Sequence, residues 1–477
     1  MTAPAGQLSA LRAHVARTLA GHLDRHLARL HWDDAQLARH QRDRLRELLA
    51  YAAEHSPFHA RRLRGVDPSR FELADLPRLP VMTKDQLMDS FDELTTDRRL
   101  TRGVVEAHLA ASVTEPSLLF GEYVCLTSGG SSGVRSIMVQ TLSEFTGFVA
   151  SLMRRGLAGR LAAGPLPPGG MVIGLVAAAS PVHSSGFGTA VATGPPVKII
   201  AAPATLPLAQ LVQRLNRAQP PALLGYPTKL AELAREQRRG QLRIAPRSVT
   251  AVSELLTSED RAAIEDGFGM PVINQFASTE GLAGQSEPGG PVIEFACDMC
   301  LVEVVDAGGR PVPDGVTSAK ILVTNLHNLT QPLVRYELTD RFTVPPGTPR
   351  HGHLRARVEG RADEVFRYEG GVEIHPHVIR SALVSAAAVR EYQVRQTDQG
   401  IDVACAVDAP LDEAALAGQL ARDLRRTGLA EPQVGVSVVG AIPRDPRTGK
   451  VGRFISRQRS RPGRYAAAGN GVPAGRS

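Results

Sequence analysis

With 477 residues the chain has material for two or three domains with sizeable cores, and its 43% apolar and 22% charged residues are ordinary for a soluble globular protein. The net charge of +7 comes from arginines spread along the chain, and basic runs such as Arg453–Arg459 are short, so nucleic-acid binding is not expected, although an anionic substrate suits the balance. No N-terminal stretch joins a basic flank to a long apolar core, and no apolar run reaches about 18 residues, which argues against secretion and membrane spanning.

In chain order, residues 1–70 read as helical, with apolar side chains at helical spacing from Leu11 to Leu30 and from Arg42 to Tyr51. Pro68, Pro77 and Pro80 break the pattern. Thr83-Lys84-Asp85-Gln86 then predicts a short helix, capped by the Thr83 hydroxyl with Gln86 reaching back.

Glu122-Tyr123-Val124-Cys125-Leu126 and Ile137-Met138-Val139-Gln140 read as two strands. Between them lies Thr127-Ser128-Gly129-Gly130-Ser131-Ser132-Gly133, followed by Arg135 and Ser136. Glycines let backbone N–H groups converge on one point, and hydroxyls add donors without bulk, so the loop suits phosphate oxygens. It is not a Walker loop, because the lysine ending and the following helix are missing. From the residues alone, a flexible linker or a hairpin turn remains open.

Thr141-Leu142-Ser143-Glu144 is a capping box that opens a helix to about Leu157, and residues 161–170 read as a Pro/Gly connection. Strands follow at Met171–Ala177, Val197–Ala201, Ala222–Gly225, Val249–Val252 and Val272–Gln275. Helices at Leu208–Arg217 and Lys229–Arg239, and one before Val272, alternate with them. The alternation predicts an α/β protein with parallel layers. From about Ile293 to residue 360 the texture is β-rich, with short strands at Cys300–Val305 and Lys320–Thr324 about the turn Asp306–Gly309. A smaller α+β unit is expected over 361–459, and the tail 460–477 reads as disordered. Four cysteines make no disulfide framework and suit a reducing cytoplasm. Cys297 and Cys300 are either ordinary buried thiols or part of a zinc site completed by Cys125, Cys405 or a histidine such as His327.

Six separated segments together resemble the adenylate-forming superfamily of acyl-CoA synthetases, luciferases and nonribosomal adenylation domains, nearest the phenylacetate–CoA ligase branch. The likeness covers about residues 40–455. Leu126–Gly133 resembles the family's phosphate loop, with Arg135 standing near the usual lysine. The resemblance implies that Thr127, Ser128, Gly129, Gly130, Ser131, Ser132, Gly133 and Arg135 hold the β- and γ-phosphates of ATP. Val252-Ser253-Glu254-Leu255 resembles the turn that lies against adenine; by itself it is also a plain strand-to-helix turn.

Asn274-Gln275-Phe276-Ala277-Ser278-Thr279-Glu280-Gly281 is similar to the family's tyrosine–glycine–serine–threonine–glutamate motif. The likeness assigns Asn274, Ala277 and Ser278 to the nucleotide, the Thr279 hydroxyl to the α-phosphate and Glu280 to Mg²⁺. Phe276 replaces the usual tyrosine, and Ala277 replaces a glycine that backs the carboxylate pocket, so the pocket should be narrower. A helix N-cap is the other reading of Ser278-Thr279-Glu280.

Pro332–Arg341 resembles the strand ending in an aspartate, here Asp340, that accepts from both ribose hydroxyls. A surface ion pair with Arg341 is the alternative. Gly360–Glu364 and Gly370–Pro376 resemble the hinge, with Asp363 at the pivot, Arg361 toward ribose or phosphate, and a small domain that rotates. Ile442–Val451 resembles the C-terminal lysine loop, whose Lys450 would bridge substrate carboxylate and α-phosphate. Alone, Lys450 also reads as a solvated surface residue.

Two further segments, Ser180–Phe187 and Gly225–Thr228, resemble branch segments that line the acyl pocket. With the third motif they assign His183, Phe187, Tyr226, Phe276 and Ala277 to the substrate pocket. His183 reads equally as a capped core histidine. Leu76–Lys84 matches the branch's N-terminal signature, with no chemistry to argue for it.

The resemblance thus implies an AMP-forming ligase that uses ATP and Mg²⁺ to activate a small, aromatic carboxylic acid and passes it to coenzyme A. A non-CoA acceptor or an unusual acid is the alternative, as in amide-forming ligases or nitrite-activating aryl-amine diazotases. A catalytically dead nucleotide sensor is a third reading, opposed by the presence of Thr279, Glu280, Asp340 and Lys450. The expected partner is a small-molecule acid, with neither nucleic acid nor membrane, and the expected state a monomer or homodimer.

Overall fold

The computed structural model describes residues 4–127, 136–165, 168–348 and 352–457. Its contacts divide them into two units. The first holds the described residues up to Ala362, the segment 129–135 aside, together with Asp445–Lys450; the second holds Asp363–Arg444 and the described residues from Val451.

The first unit is built on a ten-stranded sheet. In spatial order its strands are Asp340–Thr343, Arg355–Arg361, Ile293–Phe295, Ala283–Ser286, Ile273–Ala277, Ser248–Val252, Ala222–Gly225, Met171–Val176, Val197–Ala201 and Thr193–Gly194. The five from Ile273–Ala277 to Val197–Ala201 are mutually parallel. The helices Ser184–Val191, Leu208–Ala218, Pro227–Arg238 and Ser258–Phe268 alternate with them in the chain. This is the α/β architecture that the alternating pattern predicts. Short apolar strands such as Ala222–Gly225 need cover on both faces, which crossover helices supply. Leu211 and Leu215, four residues apart, are fully buried on one face of Leu208–Ala218.

Beyond Ile273–Ala277 the sheet turns antiparallel. The β-rich stretch after Ile293 is therefore shared between two sheets. Ile293–Phe295, Asp340–Thr343 and Arg355–Arg361 extend the large one, while Cys300–Val305, Lys320–Asn325 and Tyr336–Leu338 form a three-stranded antiparallel sheet.

Both capping boxes form. Thr83 and Gln86 exchange hydrogen bonds at the start of Lys84–Asp89, as do Thr141 and Glu144 at the start of Leu142–Ala162. The second helix runs past Leu157 to Ala162, because nothing in residues 158–162 stops a helix before Pro165. Glu144 does more than cap: its carboxylate also accepts from Leu329 N at 2.7 Å and the Thr330 hydroxyl at 2.7 Å.

Tyr123–Thr127 and Ile137–Thr141 pair antiparallel as a two-stranded ribbon with Thr127 opposite Ile137. Gln331 grips that ribbon, donating to Ile137 O at 3.0 Å and accepting from Val139 N at 2.9 Å. Residues 128–135 lie outside the described residues, as does the expected tail from 460.

A buried ion cluster ties three helices of this unit to segment 296–299. The Asp298 carboxylate, with no exposed side-chain surface, takes two bonds of 2.8 Å from Arg154 and one of 3.2 Å from Arg29. Its backbone carbonyl lies 3.0 Å from His40 Nε2. Burial alone would raise the carboxyl's pKa, but Arg154 and Arg29 outweigh it and hold the group well below the usual carboxylate range. Burial first, then Arg29, pushes nearby His26 down to about 3.

The second unit has a four-stranded sheet in the order Gln433–Val438, Gly400–Val407, Val389–Gln396 and Phe454–Ile455. The central two strands are antiparallel, and each outer strand is parallel to its neighbour. Leu416, Leu420 and Leu424 form the buried stripe of Glu413–Arg426, against a core with Phe366, Tyr392 and Phe454. Among the described residues no helix is long and apolar enough to cross a membrane.

Two expectations follow from the ion cluster. Between about pH 6.5 and 3 the unfolded chain binds a proton that folded His26 refuses, so stability should fall as pH drops through that window, with Asp298 adding to the loss below about pH 4. Thermal midpoints measured from pH 8 to 4 check this, and His26→Leu should flatten the upper part of the slope. Arg154→Leu at neutral pH should cost about 3–5 kcal/mol in urea denaturation, because it strands a buried carboxylate.

Candidate functional site

Three neighbouring parallel strands end at residues singled out in the sequence: Ala222–Gly225 before Tyr226, Ser248–Val252 before Ser253-Glu254, and Ile273–Ala277 before Ser278-Thr279-Glu280. Gly225 is in register with Ala251, and Val252 with Gln275, so these ends lie side by side. Ligands of open α/β sheets bind beyond the carboxyl ends of the strands.

Ser253 is held at φ +69°, a left-handed conformation that serine rarely adopts. Glu254 accepts from the Thr228 hydroxyl at 2.8 Å, at the start of helix Pro227–Arg238. The helix N-terminus favours that charge.

Ser278-Thr279-Glu280 does not start a helix. It is a tight turn between antiparallel strands, closed by Ser278 N to Leu282 O at 3.0 Å and Gly281 N to Ser278 O at 3.1 Å. Asn325 supports the turn from below, its Nδ2 donating to Glu280 O at 2.7 Å while its Oδ1 accepts from His327 N and Asn328 N. Cys300 donates to Gly281 O at 3.4 Å. Gly281 has φ +99°, and a Cβ there would sit 2.3 Å from Asn325 Nδ2 and 2.8 Å from His327 Cε1, so only glycine fits.

The Glu280 side chain is 8% exposed. Burial first, then the charge of Asp340, raises its pKa, while Lys84 and Arg361 pull the other way. Asp340 is the register partner of Arg361, and Arg361 donates to the Thr339 hydroxyl at 2.8 Å. Two anions and two cations thus surround the end of the third strand.

Sequence reasoning left Lys84 without a role. Its neighbourhood comes from Arg335, a buried residue that pairs with Glu303 through two bonds of 2.9 Å and donates to the carbonyls of Pro77 and Leu79. Met82 then bridges to Tyr336, and Lys84 begins the next helix. The Pro77–Lys84 signature was visible; that a distant arginine would lay it beside Glu280 was not.

At the glycine loop's mouth, Thr127 N donates to Val182 O at 2.8 Å, and the His183 ring lies 3.4 Å from the Thr127 hydroxyl. Burial first lowers the His183 pKa, and the charge of Lys450 lowers it further. Ser128, Gly129, Gly130, Ser131, Ser132, Gly133 and Arg135 fall outside the described residues.

Asp445–Lys450 belongs to the first unit. Asp445 closes this short loop, accepting from Arg447 N and Thr448 N, with Gly449 N to Asp445 O at 2.8 Å. Lys450 Nζ donates to Ser253 O at 3.0 Å and lies 5.2 Å from the centre of the Tyr226 ring. Burial lowers its pKa, Glu254 opposing. Asp363 is the first residue of the second unit, and its carbonyl accepts from the Ser456 hydroxyl at 2.9 Å.

The chain is 27% identical over 381 residues to the phenylacetate–coenzyme A ligase of Thermus thermophilus, covering 74% of this chain and 77% of the relative. It is 25% identical over 399 residues to the Escherichia coli phenylacetate–coenzyme A ligase, covering 79% and 83%. The fold matches 2-hydroxyisobutyryl-CoA ligase in its postadenylation state with R3-HIB-AMP, at a TM-score of 0.64 and 19% identity over 87% of this chain and 88% of that one. No protein-family model matches. In sequence the chain is similar to phenylacetate–coenzyme A ligases, and it shares the fold of 2-hydroxyisobutyryl-CoA ligase.

The aromatic residues expected at the acid pocket each have protein neighbours. Phe187 is 2% exposed and packs edge-on against Phe145 in the core. Phe276 packs edge-on against Phe295 and Phe342, with ring centres 5.5 and 5.7 Å away. Phe187 is buried, and Phe276 is half-buried. Tyr226 is 2% exposed, and its hydroxyl accepts from Ala178 N at 2.9 Å. Ala277 lies opposite Ala283 in the strand pair.

The cysteines are separate buried thiols. Cys297 Sγ accepts from Leu354 N at 3.1 Å and is pushed up to about 12 by burial, whereas Cys300 faces Gly281 O. Among the described residues no group of three or more His, Cys, Asp or Glu is placed to hold a metal ion.

Gly281→Ala should destabilise the protein by at least about 2 kcal/mol in urea denaturation, by displacing Asn325 from Glu280 O and straining a positive φ. Gly21→Ala, in a helix with nothing within 4 Å, should instead stabilise slightly.

Proposed function

We propose that this chain activates a small carboxylic acid with ATP as an acyl-adenylate and then transfers the acyl group to coenzyme A. The observation that carries the reading is the meeting of Ser253-Glu254, Thr279-Glu280 and Lys450 at the carboxyl ends of adjacent parallel strands, with Asp340 and Arg361 acting on Glu280, in a chain whose sequence relatives are acid–CoA ligases.

In the first half-reaction a carboxylate oxygen attacks the α-phosphorus, the bond to the β-phosphate oxygen breaks, and pyrophosphate leaves. No protein nucleophile is needed, so positioning and charge compensation carry the rate. The loop from Thr127 to Gly133, with Arg135, is assigned to the β- and γ-phosphates. The Thr279 hydroxyl is assigned to an α-phosphate oxygen, and Asp340, as an acceptor-only carboxylate, to the ribose hydroxyls. Arg361 is assigned to ribose or phosphate, and Ser253, Glu254, Asn274, Ala277 and Ser278 to the adenosine face. His183, Phe187, Phe276 and Ala277 are assigned to the acid pocket. Lys450 offsets the negative charge that develops as acid and α-phosphate join.

The Glu280 site fits a hard divalent cation. Its buried carboxylate resists ionisation beside Asp340, and a cation would relieve both. Mg²⁺ held there would supply charge neutralisation of the phosphate oxygens. For the second half-reaction Asp363 is assigned as the pivot, with coenzyme A as acceptor.

A pyrophosphate-release screen over aryl, arylacetic, aminobenzoic and short aliphatic acids plus nitrite, with and without coenzyme A, tests the reading. Release with a carboxylic acid followed by a thioester is expected; release with none sinks it. Lys450→Ala should slow adenylation about 10²–10³-fold while sparing thioester formation from a preformed adenylate. Asp363→Pro should do the reverse. Equal losses in both half-reactions would contradict these roles.

A further inference from the structure

We infer that Tyr226 is a positioning residue for Lys450, its ring face serving as the seat that holds the ammonium for the first half-reaction. This rests on the proposed adenylation and gives that site a component beyond the groups that touch substrate.

Four observations converge. The Lys450 Nζ lies 5.2 Å from the Tyr226 ring centre, within range of a cation–π attraction. The same nitrogen donates to Ser253 O at 3.0 Å, a carbonyl presented by a residue strained at φ +69°. Gly449, at φ +75°, lets the loop touch the chain at Ala204, where a Cβ would meet carbonyl carbon at 2.7 Å. Finally, the Tyr226 hydroxyl is bound to Ala178 N at 2.9 Å, which locks the ring in place and leaves its face as the working surface. A buried aromatic fixed at its rim and meeting a lysine on its face is a platform; as a pocket wall it would offer that face to substrate.

The geometry predicts that ring electrons at position 226 matter. Tyr226→Phe, which keeps the ring face, is the reference form for the measurements. Replacing that phenylalanine with mono-, di- and trifluorinated phenylalanines withdraws electrons from the face with little change of shape. Adenylation should then fall stepwise, to about 10- to 30-fold below the Phe form, while thioester formation from a preformed adenylate stays constant. A flat fluorine series, or equal losses in both half-reactions, overturns the seat while leaving the adenylation reading intact. A readout independent of activity is the Lys450 side-chain NMR signal after ¹³C-methylation. It should be shifted upfield by the ring current and lose that shift in Tyr226→Leu; an unchanged signal also overturns the inference.

Discussion

Glu280 is a carboxylate that folding has buried in a turn with almost no room to move. Its backbone is fastened by Asn325 and Cys300, and Gly281 behind it leaves no space for a Cβ. Burying an anion is unfavourable unless charge arrives to compensate it. The surrounding groups are arranged on that constraint: Asp340 raises the demand, and Lys84 and Arg361 meet part of it. Under the proposed function, a nucleoside triphosphate with its divalent metal completes that compensation.

The constraint explains why distant segments are fastened so heavily. Arg335 spends its whole guanidinium on Glu303 and the Pro77–Leu79 carbonyls, and thereby sets the helix that begins at Lys84. Glu144 and Gln331 fix the ribbon that carries the glycine loop against segment 329–331. The Asp298 cluster does the same for three helices. Each of these buried polar groups is paired across a long stretch of chain, so each specifies one arrangement of elements where apolar contacts alone would allow several.

Lys450 shows the opposite regime. Its ammonium meets the Ser253 carbonyl and the Tyr226 ring face, both neutral partners.

Much of this was legible in the residues themselves. The alternation of short apolar runs with amphipathic ones required parallel α/β layers, and both capping boxes formed as written. These are local properties, set by backbone geometry over a few residues. Which way a ring points is not local. Phe187, Phe276 and Tyr226 have identities that suit a pocket, but their neighbours Phe145, Phe295, Phe342 and Ala178 N come from other parts of the chain. Ser278-Thr279-Glu280 has the composition of a helix cap, but the antiparallel strand Ala283–Ser286 makes it a hairpin turn. The neighbours of Lys84 were likewise decided by an arginine some 250 residues away in the chain. Burial and long-range pairing select among the local options, and both depend on the whole folded chain.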